Sequence, residues 1–121
     1  MTPDLAFAVV GCGRIGKRHA ELLSSGAIEG ANLAGVCDTD EERAAAFAST
    51  YGVPAFSHIE QLCESVKVDV ANVCTPSGNH AETATSLAHL GVHVVVEKPM
   101  ALTLEDADRM IRACTENQVK L

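Results

Sequence analysis

Three closely spaced glycines, in Gly11-Cys12-Gly13-Arg14-Ile15-Gly16, separate an apolar run from a helix-like one, and no other stretch restricts the fold as much. The run before them, Leu5-Ala6-Phe7-Ala8-Val9-Val10, is short, continuous and apolar, as strands buried on both faces are. Residues 14–25 carry Ile15, Leu22 and Leu23 on one helical face and stop at Ser25-Gly26. A strand, a G-x-G-x-x-G turn and a helix place unpaired backbone N–H groups at a helix N-terminus, where the pyrophosphate of a dinucleotide binds. Taken alone the pattern is weak, because this spacing also arises by chance; its weight depends on the rest of the chain.

The rest of the chain repeats the alternation. Residues 32–38 read as a second strand ending at Asp38. That carboxylate stands about twenty residues past the turn, where an acid accepts hydrogen bonds from the adenosine ribose and repels a 2′-phosphate. NAD is therefore expected over NADP. Asp38 also fits a plain strand-ending turn. Thr39 or Asp40 can cap a second helix running to Ser49, with Tyr51-Gly52 ending it. Residues 53–56 suggest a short edge strand, since Pro54 cannot join a central one. A short helix follows over residues 59–65, then a strand over residues 68–74 and the loop Thr75-Pro76-Ser77-Gly78-Asn79-His80.

A helix over residues 79–90 presents Ala81, Ala84, Leu87 and Ala88 and stops at Gly91. The fifth strand, residues 93–96, runs into Glu97-Lys98-Pro99. Thr103-Leu104-Glu105-Asp106 has the form of a capping box, and Leu104, Ala107, Met110, Ile111 and Cys114 form the apolar face of the helix that follows. A sixth strand is expected to start at Val119-Lys120-Leu121, leaving the fifth an apolar edge prone to self-pairing. Strands alternating with helices across short connections imply a doubly wound parallel sheet of the Rossmann type in one domain, residues 1–121. In such sheets ligands bind beyond the carboxyl ends of the strands, so the glycine turn, Asp38, the 75–80 loop and Glu97-Lys98-Pro99 should share one edge.

Composition narrows the partners. A formal net charge of -7 disfavours nucleic acid and anionic membranes. No apolar segment approaches bilayer length. Met1-Thr2-Pro3-Asp4 lacks the basic region of a secretory leader, so a cytoplasmic setting is expected. The five cysteines are odd in number and widely spaced, without zinc-ligand pairing, so no metal is expected. Cys12, Cys37 and Cys74 fall near one another at strand ends; small thiols filling the core explain them better than a metal trap. His19, His58, His89 and His93 are scattered and receive no role.

Together, GCGRIG at 11–16, Asp38, TPSGNH at 75–80 and EKP at 97–99 resemble the first domain of the glucose–fructose oxidoreductase / inositol dehydrogenase / MocA family, over the whole chain. The resemblance implies a phosphate turn of Gly11, Gly13 and Gly16, with the backbone of Arg14 and Ile15 on the pyrophosphate. It implies Asp38 on the ribose; Thr75, Pro76 and Asn79 along the nicotinamide half, with His80 near it; and Glu97 at the nicotinamide ribose or the substrate side. Lys98 resembles the lysine that positions the reacting hydroxyl and assists proton transfer, next to a Lys98–Pro99 bond suited to the cis form. A solvated strand-end lysine is the plainer account of Lys98.

The resemblance further implies an NAD-dependent dehydrogenase acting on a ring hydroxyl of a sugar, inositol or sugar-nucleotide, and a homo-oligomeric protein. The family's second, α+β domain, with its substrate pocket and a further acid/base residue, is not matched here, so the chain by itself is expected to be inactive. The alternatives are a non-catalytic NAD(H) sensor or regulatory module, which needs the turn and Asp38 but has no use for Lys98, and an assembly domain that no longer binds cofactor.

Overall fold

The computed structural model describes residues 4–121. The expectation that the first residues are no secretory leader rests on positions outside the described ones. Among the described residues five strands and five α-helices alternate: β1 (Leu5–Val10), α1 (Arg14–Ser24), β2 (Ala31–Cys37), α2 (Glu41–Tyr51), β3 (Ala55–Phe56), α3 (Ile59–Ser65), β4 (Val70–Val73), α4 (His80–His89), β5 (His93–Val96) and α5 (Leu104–Glu116). All strand pairs are parallel, in the order β3-β2-β1-β4-β5. The chain winds outward from β1 to one edge, returns to pair β4 with β1, and winds to the other. The strand order thus reverses between β1 and β4, where such sheets open a crevice.

The central strands are buried on both faces, which is why they read as continuous apolar runs. Ala8, Val10, Ala71 and Val73 face a core built with Leu62, Leu87 and Met110 of α3, α4 and α5. Val9 and Val36 face the opposite core, with Ala20 and Leu23 of α1. Neither cluster uses a large aromatic centre, so close packing of small aliphatic side chains carries the burial.

Local signals fixed most helix ends as expected. Asp40 caps α2, accepting from the N–H groups of Glu42 and Arg43, and Gly52 ends it in the left-handed region at φ 67°. Thr103 caps α5 by accepting from Asp106 N–H at 3.0 Å. The return half of that capping box is missing: Asp106 Oδ1 lies 3.5 Å from Arg109 instead, the side chain being shorter than the usual Glu. A single 3-10 turn, Ser77–Asn79, precedes α4, so the helix starts one residue later than expected. β4 starts at Val70 rather than Val68, because Asp69 Oδ2 takes the Ala6 N–H at 2.8 Å in place of a backbone carbonyl.

Two apolar faces differ from expectation. The buried face of α1 is Gly16, Ala20 and Leu23, and Ile15 is exposed at the helix start. On α5, Met110, Ala113 and Cys114 are buried, whereas Leu104 and Ile111 are exposed. Ile111 lies toward the open side of β5, where Val95 is also exposed. That edge is partly covered: Val94 N–H donates to Lys120 O at 2.9 Å, but residues 119–121 form no strand and the sheet of the described residues has five strands.

Candidate active site: a dinucleotide crevice at the strand reversal

The glycine turn connects β1 to α1 at the crevice. Gly11 has φ 104°, a region side chains avoid, and a Cβ there would strike the Cys74 backbone. A Cβ on Gly16 would run into the Gly11 carbonyl oxygen, so this glycine lets α1 seat against the turn. Gly13 is the opposite case, since a Cβ there meets nothing within 4 Å. The open space lies beside the start of α1. That helix carries no side-chain cap and no acid in its first turn, whereas α2 and α5 are capped by Asp40 and Thr103. The first-turn N–H groups of α1 are thus left without side-chain partners beside an opening, the arrangement an anionic ligand completes.

Asp38 stands at the end of β2, next to this turn. Its Oδ2 accepts from Cys12 N–H and its Oδ1 from Asp40 N–H, each at 2.8 Å. The carboxylate therefore organises the glycine turn and the entry to α2 at once, and each oxygen keeps a further lone pair. Asp38 ends a strand, and it does so at the wall of a groove of about 600 Å³. Gly11, Gly13, Asp38, Thr75, Pro76 and Asn79 line that groove. Its lining carries the acids Asp38, Asp40, Glu60 and Glu82 against Arg43, which lies 3.6 Å from Asp40, and His58.

His80 lies behind the 75–80 loop rather than in the groove. It is 1% exposed, and both ring nitrogens lie 2.8 Å from carbonyl oxygens, Nδ1 from Pro99 and Nε2 from Thr75. Its contribution to the crevice is to hold the loop after β4 against the turn after β5. The Lys98–Pro99 bond is cis. Lys98 is exposed and makes no ion pair among the described residues; neither it nor Glu97 lines the groove.

Glu97 is engaged from below. Its Oε1 lies 2.8 Å from His19 Nε2, and its Oε2 accepts from the Lys98 N–H at 3.3 Å. The His19 hydrogen bond, reinforced by Lys98, holds the Glu97 carboxyl below the usual carboxylate range. His19 Nδ1 in turn lies 2.9 Å from Asn72 Nδ2. Asn72 is a polar residue in the middle of β4, only 7% exposed, and its Oδ1 has no partner. An orphaned buried carbonyl of this kind costs about 1–3 kcal/mol. His19 receives no role from the sequence, and Asn72 stands there only as a residue of the strand over 68–74. The only signal was a polar residue interrupting the apolar run of β4.

The cysteines behave as core. Cys12, Cys37 and Cys74 are buried, and burial, with Asp38 beside the first two and Glu97 beside the third, pushes each thiol up to about 12. Among the described residues no group of three or more His, Cys, Asp or Glu could hold a metal ion, and no helix is long and apolar enough to cross a membrane.

Residues 5–121 match the family described as "Oxidoreductase family, NAD-binding Rossmann fold" (GFO_IDH_MocA). The chain belongs to this family. It is 36% identical to the myo-inositol 2-dehydrogenase of Thermotoga maritima, over 97% of this chain and 35% of that protein. It is 32% identical to the NADP(+)-dependent scyllo-inositol 2-dehydrogenase IolU of Bacillus subtilis, over 97% of this chain and 35% of that protein. Among solved structures it resembles the WlbA dehydrogenase of Bordetella pertussis in complex with NADH and UDP-GlcNAcA, with a TM-score of 0.89 and 38% identity, over 96% of this chain and 35% of the other. The chain thus spans about a third of the length of the relatives it matches.

Proposed function

We propose that this domain is the NAD(H)-binding half of a dehydrogenase that moves a hydride between a ring hydroxyl carbon of a cyclitol, sugar or sugar-nucleotide and the nicotinamide. The observation that carries this is the uncapped start of α1 beside the open face of Gly13, with Asp38 tied to the same turn through Cys12 N–H. Gly11, Gly13 and Gly16 shape the turn, and the N–H groups of Arg14 and Ile15 hold the pyrophosphate. Asp38 takes the adenosine ribose hydroxyls. The surplus of acid around it disfavours a 2′-phosphate, hence NAD over NADP. Thr75, Pro76 and Asn79 border the nicotinamide half; His80 supports that border from behind.

When bound, NAD supplies the hydride acceptor at nicotinamide C4. The chain's own contribution to the chemistry is Lys98, an ammonium that hydrogen-bonds the reacting hydroxyl and stabilises the alkoxide as the hydroxyl proton passes to the further acid/base residue on the substrate side of the site. Glu97 sets the turn that presents it. A redox sensor would use the turn and Asp38 equally well but would have no use for Lys98. Cytoplasmic location and homo-oligomeric assembly belong to the same proposal, supported by dehydrogenase relatives and by the open apolar side of β5.

Titrating the chain with NADH and NADPH by fluorescence tests the binding half: saturable NADH binding, weaker for NADPH, is expected. Absence of binding at millimolar NADH would leave an assembly role instead. The catalytic half is tested by Lys98→Ala, assayed in the polypeptide that supplies the substrate side of the site. Loss of alcohol-dependent NADH formation with NADH affinity retained is expected, and unchanged turnover would favour a sensor.

A further inference from the structure

We infer that His19 is a positioning residue, held by Asn72 as the Nε2–H tautomer so that it fastens Glu97 to α1 and thereby sets the Lys98 turn. The inference rests on Lys98 acting as proposed above, although its geometry stands by itself. Asn72 Nδ2 can only donate, so at 2.9 Å His19 Nδ1 must accept. The ring then carries its proton on Nε2, which points at Glu97 Oε1 at 2.8 Å. Glu97 Oε2 receives the Lys98 N–H. One carboxylate thus joins the helix that starts at the phosphate turn to the backbone of the residue proposed to handle the hydroxyl.

Two features mark this chain of contacts as more than incidental packing. An apolar residue would fill the Asn72 position in β4 without stranding a buried oxygen, yet Asn72 is there and its Oδ1 is unpartnered. Its amide reaches His19 across the sheet face rather than solvent. The carboxylate, moreover, is met on both oxygens by donors from different elements, which leaves the side chain little rotational freedom. The charged and titratable groups facing Glu97 are His19 from α1, Lys98 on the turn and the Cys74 thiol at the end of β4.

The test is nitrogen-detected NMR of the histidine rings in this chain at neutral pH, with carboxyl titration of Glu97. We expect His19 to show a protonated Nε2 and an accepting Nδ1. In His19→Leu the Glu97 carboxyl should rise to the ordinary carboxylate range, and the amide signals of Lys98 and Met100 should move. His19→Gln, which restores a donor of similar reach, should reverse both changes. Asn72→Ala should release the tautomer, with Nδ1 becoming partly protonated, and serves as the second variant where the leucine destabilises the fold. A proton on Nδ1 in the unmodified chain, a doubly protonated ring, or a Glu97 carboxyl indifferent to His19→Leu would overturn the inference. These readouts need no cofactor. A chain that fails to bind NADH yet shows the expected tautomer and Glu97 shift refutes the dinucleotide proposal and leaves the positioning geometry standing.

Discussion

Asp38→Ala separates the role this carboxylate has in the structure, holding the glycine turn, from the ribose contact proposed for it. In the free chain the substitution removes the acceptors of Cys12 N–H and Asp40 N–H. Cys12 is 3% exposed, so its N–H is left without water, whereas Asp40 is exposed and its N–H is readily solvated. One stranded buried donor should lower the unfolding free energy by about 1–3 kcal/mol. Binding loses more, because hydrogen bonds from the ribose hydroxyls to a charged acceptor contribute about 1.5–3 kcal/mol, which corresponds to roughly 10- to 100-fold in NADH affinity. NADPH should weaken less, since the repelling charge is gone, and the NADPH:NADH affinity ratio should rise. Asp38→Asn keeps one acceptor and the shape but turns an N–H toward an N–H, so it should lose stability and raise the NADPH:NADH affinity ratio as well. Urea unfolding with paired fluorescence titrations measures both effects. Equal weakening of the two dinucleotides would show that Asp38 acts only by holding the turn, and an unchanged unfolding midpoint would refute the account of the stranded donor.

Gly16→Ala places a Cβ against the Gly11 carbonyl oxygen, a backbone atom that cannot step aside, so α1 must lift off the turn; we expect a lower melting temperature and loss of NADH binding by titration, whereas Gly13→Ala should fold normally and lose binding alone. His80→Ala removes a fully buried ring and, with it, the donor to one of the two carbonyls it lies against, Thr75 and Pro99; a loss of about 2–4 kcal/mol in urea unfolding is expected. The thiols of Cys12, Cys37 and Cys74 are raised to about 12, so their folded forms stay protonated. Folding is therefore favoured below the ordinary thiol range near 9 and loses stability as pH climbs from 9 toward 12. Each such thiol contributes a slope of about 1.4 kcal/mol per pH unit in that window. Iodoacetamide at pH 8 should label these three only on unfolding, and rapid labelling of the folded chain would contradict their burial.

Much of the fold was legible because its signals are local. The apolar runs of β1 and β5, the glycine turn, the Asp40 and Thr103 caps and the stop at Gly52 each depend on a few consecutive residues, and each was found where the sequence placed it. The misread faces of α1 and α5 have a different cause. Helical spacing shows which residues share a stripe, but not how much of that stripe the sheet covers. Ile15 and Leu104 stand in the first turns of α1 and α5 and Ile111 lies over the edge strand β5, and all three stay exposed.

The site divides along the same line. From its sequence alone the chain declares a parallel α/β sheet, a phosphate-type turn, an acid after the second strand and two more loops on the same edge, because those are properties of short segments and of their order. Only the tertiary structure decided that Asp38 holds Cys12, 26 positions away, that His80 supports the crevice from behind, and that His19 and Asn72, 53 positions apart, meet beneath Glu97. The Asp38 contact follows from β2 pairing with β1, the His80 contact from β5 pairing with β4, and the meeting of His19 and Asn72 from β4 pairing with β1 rather than with β3. Strand order is a choice among long-range packings whose side-chain runs look alike, and burial of the whole sheet between two helical layers settles it.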